Sequence, residues 1–153
     1  KTASLIAASV SCGVLSTNQD PEMLKLMHQF GSDLGMAFQI KDDLMDLSEE
    51  SVGKPRINDI KEKKMTLPLI VALKNAPQPK SRQLINQIRA NSEDPKVIQA
   101  AIRFILDHNG VVEATKSMIE VRDKALISLK TLPDNDARAS LEKICYFVTE
   151  RDK

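Results

Sequence analysis

The chain has no tryptophan, one tyrosine and four phenylalanines, so aromatics make up only 3% of its 153 residues. So sparse a set offers no platform for stacking bases, and no nucleic acid partner is expected. An excess of one charge is missing as well. Lys+Arg 22 stand against Asp+Glu 21, a net charge of +1, and nothing in that balance directs the chain to a polyanion or an anionic membrane. Gly 5 and Pro 7 are too few for a loop-rich or many-turned β protein. The two cysteines, Cys12 and Cys145, cannot build a disulfide framework. They point to a reducing compartment, a cytoplasmic location, and to two buried structural thiols. No apolar run approaches the ~20 residues of a membrane-spanning helix, so no transmembrane segment is expected. The 42% apolar and 28% charged residues suit a helical globular core with a charged exterior. The chain opens at Lys1 inside a helix-like stretch with no signal-like segment before it. It is therefore expected to be a piece of a longer protein.

The pattern along the chain is all-α. Lys1 to Leu15 is rich in Ala and Ser, which suits a helix packed closely on its neighbours; Gly13 and the polar stretch from Ser16 to Pro21 are expected to end it. Asp20 then caps a long helix with Pro21 at its first position. Leu24, Met27, Phe30, Leu34, Phe38 and Met45 mark that helix to about Leu47, long enough to be central and buried. Ser48 to Lys64 is polar, contains Gly53 and Pro55, and reads as an unusually long loop, the kind that carries function. A helix over Met65–Lys74 with Pro68 in its first turn follows, and Ala76-Pro77-Gln78-Pro79 breaks the chain. Further helices are predicted at about Ser81–Ala90, Pro95–His108, Gly110–Lys130 and Asn135–Glu150. Met23, Met27 and Met36 read as core filler, and His28 and His108 are too far apart for a metal site.

The sharpest feature lies at the end of the long helix. Gln39, Asp42, Asp43 and Asp46 put three carboxylates and an amide within eight residues. At ~100° per residue they span an arc of about 100° on one face. Like charges at this spacing destabilise a helix by a few tenths of a kcal/mol each, and the negative C-terminal dipole adds to that. A hard divalent cation is the natural offset, because Mg²⁺ takes oxygen ligands and is commonly shared between carboxylates and substrate phosphates. Lys54 and Lys64, downstream, can be placed opposite the carboxylates, which together would make a diphosphate site. A solvated acidic helix end beside basic loop residues is the competing reading.

At these residues the sequence resembles the trans-isoprenyl (polyprenyl) diphosphate synthases. Gly35-Met36-Ala37-Phe38-Gln39-Ile40-Lys41-Asp42-Asp43-Leu44-Met45-Asp46 is similar to the family's second aspartate-rich motif, G-x-x-F-Q-x-x-D-D-x-x-D. Gly53-Lys54-Pro55 follows at the family's interval, and Asp59 to Pro68 is similar to D-[LI]-x-E-G-K-x-T-L-P. Lys1-Thr2-Ala3 resembles the K-T-A stretch that precedes the motif. Lys63 stands where the family usually has Gly.

The resemblance implies a partial isoprenoid-synthase helical bundle. Residues 1–153 would be the C-terminal half and 48–64 its substrate-site loop. It implies an enzyme of chain elongation that joins an allylic diphosphate to isopentenyl diphosphate with Mg²⁺. Asp42, Asp43 and Asp46 would hold the metal, with Asp42 and Asp46 the best direct ligands. Lys1, Lys54 and Lys64 would contact the diphosphate, with Asp59 acting behind them or through water. Gln39 and Thr2 would lie beside the reacting carbons. The only D-D-x-x-D is Asp42–Asp46; the family's first aspartate-rich motif is not in the chain, so the fragment alone is expected to be inactive. Exposed apolar faces left by the missing half, and the family's habit, imply a homo-oligomer. Two other readings compete: a non-catalytic diphosphate-binding subunit, and a helical interaction module whose acidic helix is coincidental. Mg²⁺-dependent diphosphate binding separates the last from the other two.

Overall fold

In a computed structural model, residues 1–17, 20–47 and 58–151 are described. They form α1 (Thr2–Thr17), α2 (Pro21–Asp46), α3 (Asn58–Lys61), α4 (Leu67–Asn75), α5 (Gln78–Asn91), α6 (Pro95–Asp107), α7 (Gly110–Leu129) and α8 (Asp136–Glu150), with no strand among the described residues. Local chemistry sets most of the boundaries. The Asp20 carboxylate accepts from the Glu22 amide at 3.1 Å, with Pro21 opening α2. Asp94 and Asn135 cap α6 and α8 in the same way, accepting from Lys96 and Arg138 at 2.9 and 3.0 Å. At the junction of α6 and α7, Asn109 takes a left-handed backbone (φ 57°), which asparagine tolerates.

Several expectations are corrected. Gly13 does not end α1. The helix runs through it to Thr17, and the Ser16 and Thr17 hydroxyls donate to the Gly13 carbonyl at 2.8 and 3.4 Å. The break expected over Ala76-Pro77-Gln78-Pro79 is confined to Ala76-Pro77; Gln78-Pro79 lies in the first turn of α5, where a missing proline N–H costs nothing. The helix expected from Met65 begins at Leu67, because Thr66 is extended (φ −75°, ψ 157°) and serves as its N-cap. The end of the supposed loop, Asn58–Lys61, is the one-turn helix α3, anchored by buried Ile60. Residues 48–57 of that loop lie outside the described residues. Cys145 is buried but Cys12 is exposed, so only one of the two thiols is structural in the sense expected. Met27 is buried, whereas Met36 is 48% exposed and is not core.

The chain divides into two compact units, Lys1–Lys41 with Ser117–Lys153, and Asp42–Lys116; the divisions fall within α2 and α7. In the first unit, Met27, Phe30 and Leu34 of α2 pack with Ala125 and Leu129 of α7 and Cys145 and Val148 of α8. Ile6, Val10 and Val14 line the α1 side of that core. Full burial of a side chain such as Phe30 contributes on the order of 1.5–3 kcal/mol. The small residues of α1 matter here. A Cβ at Gly31 would lie 2.7 Å from the Cα of Ala7, and one at Gly35 2.5 Å from the Cα of Ala3. The two backbones meet where only glycine fits. In the second unit, Ile60, Leu69, Ala72, Leu84, Ile88, Ile98, Ala101 and Ile105 form the core.

Candidate functional site

Within the first unit, the close approach at Gly35 brings the start of α1 to α2 one turn before Gln39. There the Thr2 hydroxyl donates to Oε1 of Gln39 at 3.2 Å. Lys1 precedes α1, is exposed, and its carbonyl accepts the Leu5 amide at 3.0 Å. Gln39 is exposed. Thr2 and Gln39, 37 residues apart in sequence, are thus brought together as a polar pair.

Within the second unit, the last turn of α2 holds the start of the next two helices. Asp43 Oδ2 accepts from the Leu67 amide at 3.2 Å. That amide opens α4, whose own N-cap Thr66 makes no side-chain bond to it. Asp46 accepts from the Asn58 amide at 3.3 Å through Oδ1 and from the Asp59 amide at 3.1 Å through Oδ2, both at the start of α3. A carboxylate at a helix N-terminus satisfies orphan amides and meets the positive end of the dipole. The cost of clustering like charges on α2 is therefore met in part from within the chain.

Asp59 in turn carries Lys64. The Lys64 ammonium donates to Asp59 Oδ1 at 2.9 Å and lies 2.8 Å from Glu62 Oε2. Hydrogen bonding to Glu62 first, then bonding and attraction to Asp59, hold its pKa well above the ordinary lysine value. It stays a cation through the whole physiological range. Lys64 is 56% exposed and Asp59 19%, so the ammonium faces solvent from a partly buried carboxylate. Asp46, Asp59 and Lys64 form one hydrogen-bonded chain. Lys54, with Gly53 and Pro55, lies outside the described residues.

No three Asp, Glu, His or Cys side chains among the described residues converge into a group that could hold a metal ion. Asp42, Asp43 and Asp46 share a helix face but do not close into a cage, since Asp43 and Asp46 are drawn to backbone amides. Their donors nonetheless suit a hard cation. Each carboxylate oxygen can accept more than one partner, and Mg²⁺ is ordinarily held by one or two carboxylates with water and phosphate oxygens completing the shell. Sequence reasoning missed Glu62 as a second partner of Lys64, and it missed the amides of Asn58, Asp59 and Leu67. The acidic residues were visible, but a backbone amide 12 to 24 residues away leaves no mark in the sequence.

A helical chain with an aspartate-bearing helix end and a lysine bound to it through Asp59 belongs to a recognisable class. The family described as Polyprenyl synthetase matches residues 1–105, and the chain belongs to that family. Over 153 residues it is 33% identical to "Solanesyl diphosphate synthase 2, chloroplastic" of Arabidopsis thaliana, covering 99% of this chain and 36% of that protein. Over 154 residues it is 35% identical to "Short chain isoprenyl diphosphate synthase" of Methanothermobacter thermautotrophicus, covering 99% of this chain and 47% of that one. Among solved structures, geranylgeranyl pyrophosphate synthase from Bacteroides thetaiotaomicron superposes with a TM-score of 0.89 at 32% identity, over 99% of this chain and 50% of that one. A polyprenyl synthase from Caulobacter crescentus, described as complexed with calcium and isoprenyl diphosphate, gives 0.85 at 29% identity, over 100% and 47%. The chain thus spans about a third to a half of the length of these relatives.

Proposed function

We propose that the protein carrying this chain is a prenyltransferase that condenses an allylic diphosphate with isopentenyl diphosphate in isoprenoid biosynthesis. The observation that carries this reading is the linked set Asp46–Asp59–Lys64 beside Asp43 at the end of α2. It joins carboxylates able to share a cation with a solvent-facing ammonium. Lys64 would contact the diphosphate of the allylic substrate, and the family resemblance assigns Lys1 and Lys54 the same role. Asp42 and Asp46, with Asp43, would hold Mg²⁺. When bound, the metal neutralises the charge that builds on the diphosphate as the allylic C–O bond breaks. The bonding pair leaves with the diphosphate, and lysine ammoniums facing those oxygens stabilise it. The isopentenyl double bond then attacks the allylic carbon to form the new C–C bond, and a proton from the adjacent carbon passes to the released diphosphate, which restores a double bond. The resemblance assigns Gln39, which accepts from the Thr2 hydroxyl, to the reacting carbons, where its amide dipole would steady positive charge.

The 153 residues alone are inactive in this reading, because the first aspartate-rich motif that the resemblance implies is not among them. The low cysteine content supports a reducing compartment, which we take to be the cytoplasm. No described helix is long and apolar enough to cross a membrane. The test is transfer of labelled isopentenyl diphosphate into a longer prenyl diphosphate by the whole protein with Mg²⁺. Turnover is expected to fall about 10²-fold or more in Asp42→Asn. Unchanged turnover in that variant, or steady turnover by the 153-residue chain itself, would contradict the reading.

A further inference from the structure

Two described residues other than glycine have positive φ, Asn109 and Lys63. Asparagine visits that region readily; lysine does not. The left-handed turn at Lys63 (φ 58°) closes α3: the Lys63 amide donates to the Ile60 carbonyl at 3.0 Å and the Lys64 amide to the Asp59 carbonyl at 2.8 Å. This pair of bonds is the Schellman arrangement, in which the residue after the cap is usually glycine. The same turn sets where Lys64 leaves the backbone, and hence how its ammonium reaches Asp59 and Glu62. An unfavourable backbone at such a point needs an offsetting contact, and one is present. The Lys63 ammonium donates to the carbonyl of Arg89 at 2.9 Å, in the last turn of α5, where a cation meets exposed carbonyls and the negative end of the helix dipole. Nearby, the buried Ser92 hydroxyl donates to the Lys61 carbonyl at 2.8 Å, so the α3 turn is held to the end of α5 at two points.

We propose that Lys63 is a positioning residue whose ammonium, anchored on the end of α5, holds the left-handed turn that aims Lys64, backed by Asp59, at the diphosphate. The role rests on the diphosphate reading above. Two measurements on the whole protein test it: calorimetric affinity for inorganic diphosphate with Mg²⁺, and hydrogen exchange at the Lys64 amide. Lys63→Ala keeps the unfavourable turn and loses the anchor. It is expected to weaken diphosphate binding about three- to tenfold and to speed Lys64 amide exchange. Lys63→Arg restores the anchor and Lys63→Gly removes the need for one, so each should stay within about twofold of the native protein. Native behaviour in Lys63→Ala, or equal impairment in all three variants, would overturn the proposal. Lys64→Ala separates the two levels. If it weakens binding while Lys63→Ala does not, the positioning role alone fails. If Lys64→Ala leaves binding unchanged, the diphosphate reading fails and the positioning role with it.

Discussion

Asp46 shows how a residue can be visible in the sequence while its work is not. Its position one turn after Asp42 marks a face of carboxylates, yet in the fold it accepts two amides that open α3. The cluster called for a cation on electrostatic grounds, and part of the answer is the chain's own backbone. Lys64 extends the same lesson. Its pKa is raised above 10.5 by Glu62 and Asp59, so the pair's contribution to stability is complete below that pH and is lost only as pH rises through the higher folded value. The ammonium is exposed, so salt weakens the pair. The cysteines separate by burial. Burial foremost, then Glu142, against the opposing effect of Arg122, raises Cys145 to about 11. A thiol so placed has almost no thiolate near neutrality. One thiol per native chain, Cys12, should therefore react with a disulfide reagent at pH 8, and the second only after unfolding. Two fast equivalents from the native chain would contradict the burial of Cys145.

Among the elements, the helices whose ends carry Asp20-Pro21, Asp94-Pro95 and Asn135 could be read from the sequence, because a cap is a local event. The element that the sequence hid was set by neighbours. α3 exists because Ile60 is buried and Asp46 meets its first amides, and neither fact is local. Small residues in α1 did announce close packing, and the partners are Gly31 and Gly35 of α2. Gly35→Ala would set a methyl group 2.5 Å from the Ala3 Cα, a clash with backbone that no rotamer relieves. It is expected to cost about 1–3 kcal/mol in chemical denaturation and to separate Thr2 from Gln39. Gly13→Ala meets nothing within 4 Å and serves as the control, with a small gain or no change expected. Equal stability of Gly35→Ala and the native chain would show that the helices are not in that contact.

At the scale of the whole molecule, the two compact units each have their own core, yet large apolar side chains remain on the outside. Leu5 (69% exposed), Val112 (63%), Ile127 (62%) and Phe147 (68%) are the clearest. Exposed apolar side chains of this size favour association, and the 153-residue chain is expected to self-associate. Light scattering over a range of concentrations reads this directly, and a monomer throughout would count against it.

In the proposed function, the end of α2 and the turn after α3 bind diphosphate through a shared cation. Calorimetric titration of the whole protein with inorganic diphosphate, with and without Mg²⁺, tests it most directly, for the native chain and Asp42→Asn. Saturable binding that needs both Mg²⁺ and Asp42 is predicted. Absence of binding, or binding indifferent to the metal or to Asp42, would contradict it.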